Sequence, residues 1–320
     1  MREIGGYIEL ETFNGPILHE KALALNCGRN CLAYLFKSRK IAKIKIPYFI
    51  CDSIAEVCDR EHVEKSFYHI GIDFRPTDDL DLADDEWLYL VNLYGQLDNE
   101  ILKKYVSRFK RVIVDQANNY FAEPLPGVDT IYTCRKWFGV SDGALLYTDS
   151  IIPETFPQDE SFDRMRFLLG RFERTASEFY NEYNANNQFF ASEPIKIMSK
   201  LTSNLLHGID YKYVENKRAD NFAYLDERFN KINQLRLRPA TFMYPLMVEN
   251  GAQIRQELQA NKIYVPTLWP MVFEITSESD LEYKMADNIL PLPIDQRYGV
   301  EDMQYMADIV LKVLEELQNV

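Results

Sequence analysis

Between residues 29 and 149 short apolar runs alternate with amphipathic stretches, and this alternation constrains the fold more than any other feature of the chain. Helical spacing covers 29–38 (RNCLAYLFKS), IKIPYF (44–49) reads as a strand stopped by Pro47, and DSIAEVCDREH (52–62) is helical again. The strand-like VEKSFYHIG (63–71) follows, then the buried strand WLYLVNLYG (87–95) ending at a glycine, then an amphipathic helix near 98–109. RVIVDQANNYF (111–121) is an apolar strand ending in Asp115, and TIYTCRKWFGVSDGALLYTD (130–149) reads as two short strands joined by a polar, glycine-containing turn. Strands that alternate with helices in this way build βαβ units and a mainly parallel sheet.

The rest of the chain changes character. The pattern is helical from about 160 to 236, returns to short apolar runs over 239–275, and closes in the clean amphipathic helix EDMQYMADIVLKVLEELQ (301–318). We therefore expect a large α/β domain over 1–205 and a smaller α+β domain over 206–320, with no internal repeats. The acidic run DDLDLADDE (78–86) carries six carboxylates in nine residues. It lacks the spacing and central glycine of a calcium loop and reads as a solvated connection.

Lys plus Arg is 36 against 49 Asp plus Glu, a net charge of −13. The resulting field repels polyanions, so neither nucleic acid nor an anionic membrane is expected as a partner. A small anionic ligand is compatible, because local backbone dipoles can overrule the net charge. No run approaches the ~18 apolar residues of a membrane span, and the N-terminus lacks the apolar stretch of a leader. The five cysteines (27, 31, 51, 58, 134) are odd in number and mostly in apolar contexts. They read as buried thiols of a reducing compartment, with the cytoplasm as the default. His62, His69 and Cys58 have no zinc spacing, and no metal site is expected.

Three segments at expected strand or helix ends carry polar residues suited to chemistry, and open α/β sheets bind ligands at the carboxyl ends of their strands. Asn26-Cys27-Gly28-Arg29-Asn30 precedes a helix, where free N–H groups, the helix dipole and an arginine fork suit a phosphate; a plain turn is the alternative. Asp115 ends the VIVD strand, either exposed as a turn former or buried beside a cation. Lys136 sits in Thr133-Cys134-Arg135-Lys136-Trp137-Phe138-Gly139, between two apolar strands. An amine kept partly out of water beside a second cation, here Arg135, gives up its proton more readily and becomes a usable nucleophile.

As a set, in this order, these segments resemble the DegT/DnrJ/EryC1/StrS family of pyridoxal-phosphate sugar aminotransferases. NCGRNCLAYL is similar to the family's Ser-Gly-Thr/Arg-x-Ala-Leu phosphate segment, KIKIPYFICDSI to its Pro-containing strand, and YLVNLYGQLDN to its Val-x-Leu-Tyr-Gly strand. VIVDQANNYF resembles (Val/Ile)-x-Asp-x-Ala-x-x, and TCRKWFGVSDGALL the lysine segment. IYVPTLWP (263–270) resembles a small-domain strand, with Leu268 where histidine is common.

The resemblance implies the aspartate-aminotransferase fold type I: a three-layer α/β/α large domain with a mainly parallel sheet, plus a smaller α+β domain. It implies pyridoxal 5'-phosphate as cofactor, with Lys136 forming the internal aldimine and moving protons, and Asp115 pairing with the pyridine nitrogen. Asn118 falls at the position that meets the cofactor's O3′, Gly28, Arg29 and Asn30 at the phosphate, and Thr133 could add a hydroxyl to it. Counting from Pro47 puts Cys51 where the family has its stacking aromatic; Phe49 or Tyr48 would need a local shift to serve. The expected activity is amino transfer, from glutamate, to a nucleotide-linked keto-sugar in surface-polysaccharide synthesis. A homodimer with shared active sites is expected, with Tyr211, Arg218 or Asn221 as candidate residues from the second subunit. Gly5-Gly6-Tyr7 and Arg297-Tyr298 are candidates to approach the substrate. The alternatives are a dehydratase of the same family, which lacks the lysine, and a non-catalytic binding or regulatory protein that keeps the fold.

Overall fold

The computed structural model describes residues 4–318. The first half runs β1 (Leu23–Leu25), α1 (Gly28–Arg39), β2 (Lys43–Pro47), α2 (Asp52–Arg60), β3 (Glu64–Tyr68), β4 (Glu86–Val91), α3 (Asn99–Phe109), β5 (Val112–Asp115), β6 (Asp129–Thr133) and β7 (Ala144–Tyr147). Helices follow: α4 (Arg166–Glu173), α5 (Tyr180–Ser192), α6 (Lys200–Leu206) and α7 (Tyr211–Phe229). The last part is β8 (Met243–Met247), α8 (Gly251–Ala260), α9 (Val272–Ile275), α10 (Leu281–Asn288), β9 (Ile289–Pro293) and α11 (Val300–Gln318).

The seven strands of the large sheet lie in the order β1-β7-β6-β5-β4-β2-β3. All neighbours from β3 to β6 are parallel, while β7 is antiparallel to both β6 and β1. Only β7 therefore runs against the rest, and the carboxyl ends of β1, β2, β4, β5 and β6 share one edge of the sheet. Val112, Ile113, Val114 and Asp115 are all buried. Both faces of β5 are thus covered, as a continuous apolar run in a parallel sheet requires.

Local signals explain most element ends. Pro47 lacks the N–H to extend the ladder, and β2 stops there. At α3, Asp98 accepts a hydrogen bond from the Ile101 N–H, a side-chain N-cap. α2 buries Ile54, Ala55, Val57 and Cys58, one stripe of an amphipathic helix. Met303, Met306, Ala307, Val310 and Val313 of α11 are buried at helical spacing.

Two apolar cores form. One surrounds the seven-stranded sheet; the other joins α7, α8 and α11 to the antiparallel β8–β9 pair. α7 serves both, with Val214 in the first and Phe222, Leu225 and Phe229 in the second. IYVPTLWP, expected to resemble a strand, is not one: it is irregular up to Trp269, whose φ is +65°. Pro266 and Pro270 cannot donate to a ladder, and β8 pairs only with β9, which leaves the segment no partner strand.

Candidate active site

The shared sheet edge gathers the segments that follow β1, β2, β4, β5 and β6. Asp115 ends β5 and is 8% exposed. Its Oδ1 accepts from the Ala117 N–H at 2.7 Å and its Oδ2 from the Tyr89 hydroxyl at 2.8 Å. Of its two sequence readings, the buried one holds, although its partners are neutral donors and not a cation. Asn118, three residues on, is 3% exposed, and its Oδ1 accepts from the Tyr94 N–H at 3.3 Å. Tyr94 is itself in the left-handed region, with φ +52°.

The lysine loop leaves β6 beside this segment. Trp137 is 2% exposed, and its indole N–H donates to the Ala117 carbonyl at 3.0 Å. That bond ties the residue after Lys136 to the second residue after Asp115. Phe138 turns inward against Tyr120. On the far side of the loop, buried Asp142 accepts from the Ser199 N–H and hydroxyl, each at 2.8 Å, and from Thr202, which anchors the loop to the start of α6. Gly143 completes the turn at φ +108°, where a side chain would be strained.

Lys136 is exposed, its Nζ 5.6 Å from the centre of the Phe242 ring, and it has no ion pair among the described residues. This corrects the expectation of a partly desolvated amine paired with a second cation. Trp137 and Phe138 take the buried directions, so Lys136 points outward. Arg135 turns instead to Asn187 and lies over the Phe190 ring at 4.8 Å. Burial pulls the Arg135 guanidinium below its ordinary value.

The N-terminus of α1 packs directly on this loop. A Cβ at Gly28 would come within 2.9 Å of the Thr133 Cγ2, so only glycine allows the approach. Cys27, the N-cap residue, supplies no side-chain cap to the helix. The Thr133 hydroxyl is buried with no hydrogen-bond partner among the described residues. An uncapped helix N-terminus beside an orphaned hydroxyl is an arrangement for binding an anion. Burial pushes the Cys27 thiol up, while the Asn30 N–H and then Arg29, Arg135 and Arg60 pull it the other way. These three cations gather here in a chain whose net charge is −13.

Two of the expected phosphate residues are placed differently. Arg29 reaches Glu56 of α2 at 3.1 Å. Asn30 is fully buried: its amide donates to Asn26 Oδ1 and to the Glu193 and Pro194 carbonyls, and its Oδ1 accepts from Arg60. All of its side-chain capacity is spent clamping the segment after α5. Phe49 is 0% exposed, edge-on to Trp269 at 4.9 Å, while Tyr48 stacks on Phe67. Cys51 is half-buried at the N-cap of α2, its thiol 2.8 Å from the Ser53 hydroxyl.

Arg218 and Asn221, read as residues for a second subunit, are 2% and 1% exposed within this one. Arg218 donates to Gln296, to the Thr241, Phe242 and Trp137 carbonyls, and lies over the Trp137 ring at 4.6 Å. Burial brings it down to about 10, against the pull of Asp295. Gln296 donates to the same Trp137 carbonyl at 2.9 Å, so β9's following loop also holds the lysine loop. Asn221 donates to the Ile294, Asp295 and Tyr298 carbonyls. Tyr211 packs on Tyr120 and Phe138. Arg297 pairs with Asp295, and Gly5, Gly6 and Tyr7 are exposed. No three His, Cys, Asp or Glu side chains converge on a metal position among the described residues.

These residues fit pyridoxal phosphate. The group presents an anion, a ring nitrogen and an aldehyde, and the edge offers an orphaned hydroxyl at a helix N-terminus, an oriented buried carboxylate and an unpaired amine. At the level of sequence no protein-family model and no curated protein matches the chain. Solved structures do. Spr1654 from Streptococcus pneumoniae, in its pyridoxal-phosphate form, matches with a TM-score of 0.65 at 14% identity, over 95% of this chain and 93% of that one. A DegT/DnrJ/EryC1/StrS aminotransferase from Brucella abortus gives 0.63 at 14% identity over 94% and 91%. The sugar aminotransferase CalS13 from Micromonospora echinospora gives 0.62 at 15% over 92% and 88%. The chain therefore has, nearly end to end, the fold of the DegT/DnrJ/EryC1/StrS sugar aminotransferases.

Proposed function

We propose that the protein is a pyridoxal-phosphate-dependent aminotransferase that moves an amino group, from glutamate, to a nucleotide-linked keto-sugar for surface-polysaccharide synthesis. One observation carries this reading: Trp137 pins an unpaired lysine beside a strand end that presents a buried, doubly hydrogen-bonded carboxylate. When bound, the cofactor supplies an electron sink for the carbon that exchanges its amino group. Asp115 would meet the ring nitrogen and Asn118 the ring hydroxyl. The α1 N-terminus with Gly28 and Thr133 would hold the phosphate. Arg29 is released at little cost to join them, since a part-exposed ion pair such as Arg29–Glu56 contributes only about 0–1 kcal/mol. Lys136 Nζ, with no carboxylate partner among the described residues, would hold the aldehyde end and carry the proton. Cys51, at the half-buried start of α2, would take the ring face by the count from Pro47.

The amino donor, the nucleotide link and the pathway follow from the resemblance of the motifs. The division into domains 1–205 and 206–320 belongs to the same reading. A reducing, cytoplasmic setting is supported by five free cysteines, four of them buried. No helix among the described residues is long and apolar enough to cross a membrane.

The test is a chemical one. Purified protein incubated with pyridoxal phosphate and then borohydride should carry one phosphopyridoxyl group, on the peptide that contains Lys136. Added glutamate before borohydride should prevent the labelling by converting the cofactor to its amine form. Labelling elsewhere would overturn the assignment of the lysine. No labelling at all would leave a non-catalytic protein that keeps the fold, and labelling that every amino donor leaves untouched would point to another pyridoxal-phosphate chemistry.

The same reading includes a homodimer. Ile4, Tyr7 and Ile8 are 97%, 97% and 88% exposed, and Phe172 of α4 is 93% exposed. Large apolar side chains left in water are candidates for burial in such an interface. Sedimentation of the loaded protein should give a mass of two chains; a single 37.5 kDa species at micromolar concentration would remove the dimer from the proposal.

A further inference from the structure

Asp115 is reached from a neighbouring strand. In the parallel pairing of β4 with β5, Val91 lies opposite Asp115 and Tyr89 opposite Ile113. Side chains alternate between faces along a strand, so Tyr89 shares a face with Val91 and with the Asp115 carboxylate. Tyr89 is 1% exposed, and its hydroxyl donates to Asp115 Oδ2 at 2.8 Å. Buried Tyr68 and Tyr132 satisfy their hydroxyls on the Tyr89 and Ala122 carbonyls instead. Burial first, then the Asp115 charge beside it, pushes the Tyr89 hydroxyl well above its ordinary value, so it remains a neutral donor throughout the working range.

We propose that Tyr89 is a positioning residue: its hydroxyl, together with the Ala117 N–H, fixes the Asp115 carboxylate as the acceptor for the cofactor's ring nitrogen. This rests on the cofactor reading above. Each oxygen takes one donor, which fixes the plane of the carboxylate and leaves the remaining lone pairs for the ring. Without Tyr89, Oδ2 would lose its partner in a site where Asp115 is only 8% exposed, and an unpaired buried acceptor is costly.

The test compares two probes on the full protein: pyridoxal phosphate and its 1-deaza analogue, in which a C–H replaces the ring nitrogen. Tyr89→Phe keeps the ring and its packing and removes only the hydroxyl. It should loosen pyridoxal phosphate about ten-fold, the scale of one hydrogen bond to a charged group, and leave the affinity for the deaza analogue as it was. In an Asp115→Asn background, Tyr89→Phe should have no further effect on either probe. Equal loosening of both probes would mean that Tyr89 acts through packing, and unchanged binding of pyridoxal phosphate would mean that it does not act; either overturns the proposal. If the unmodified protein bound neither probe, the cofactor reading itself would fall, and the positioning role with it.

Discussion

Lys136→Ala will fold and unfold as the unmodified protein does, yet fail to exchange an amino group. The two halves of this result have separate causes. Lys136 is exposed and has no ion pair among the described residues, and its Nζ lies 5.6 Å from the centre of the Phe242 ring. An exposed cation–π contact contributes about 0.5–1 kcal/mol at most, and surface substitutions typically stay within about 0.5 kcal/mol. Urea midpoints of the two proteins should nearly coincide. The amine, by contrast, is the base that the proposed reading assigns to the site. Losing a positioned proton carrier costs about 10²–10⁴-fold in rate, and losing the covalent attachment adds to that. Stopped-flow absorbance with glutamate would measure the half-reaction directly. A variant that kept its rate would show that another group carries the proton; one that lost both rate and stability would show Lys136 to be structural.

How much of this could be read in the chain beforehand depends on how local each determinant is. α1, α2, α3 and α11 carry their own periodicity, and β2 carries its stop at Pro47, so their places follow from neighbouring residues. β1 is only three residues long and β9 holds prolines at 291 and 293, too little pattern for either to stand out. Asp115 and Lys136 were legible as types at the right spacing. Their surroundings were not. Arg218 reads as a surface residue of a polar helix because what buries it lies at Trp137, Thr241, Phe242 and Gln296, all distant in sequence. Asn30 reads as a phosphate ligand because nothing nearby shows that residues 193 and 194 will arrive to take its amide. Tyr89 gave no signal at all, since an aromatic in a buried strand is ordinary core. Only the pairing of β4 with β5 puts its hydroxyl on a carboxylate.

Trp137 should prove a residue on which folding and chemistry both depend, through different atoms. It is 2% exposed, within ring-contact distance of Tyr120, Phe121 and Phe242, and it links the lysine loop to the Asp115 segment through Ala117. Trp137→Ala removes a whole buried indole, and such truncations cost about 3–5 kcal/mol. That is a large part of the 5–15 kcal/mol typical of a folded chain, so the alanine variant should unfold at markedly lower urea. Trp137→Phe is the informative change. It keeps an aromatic ring in the gap and loses the indole N–H, leaving the Ala117 carbonyl without its donor at a cost of about 1–3 kcal/mol. The fold should survive, with Arg218 and Gln296 still on the carbonyl of residue 137, but the loop would lose its tie to the Asp115 segment. A reacting group displaced by about 1 Å loses roughly 10²-fold in rate. The phenylalanine variant should therefore still be labelled at Lys136 by pyridoxal phosphate and borohydride, while its half-reaction with glutamate slows by about two orders of magnitude. If it reacted at the normal rate, the indole bond would be a stabilising contact only, and the aim of Lys136 would have to come from the Arg218 and Gln296 bonds to the Trp137 carbonyl and the Asp142 anchor at the other end of the loop.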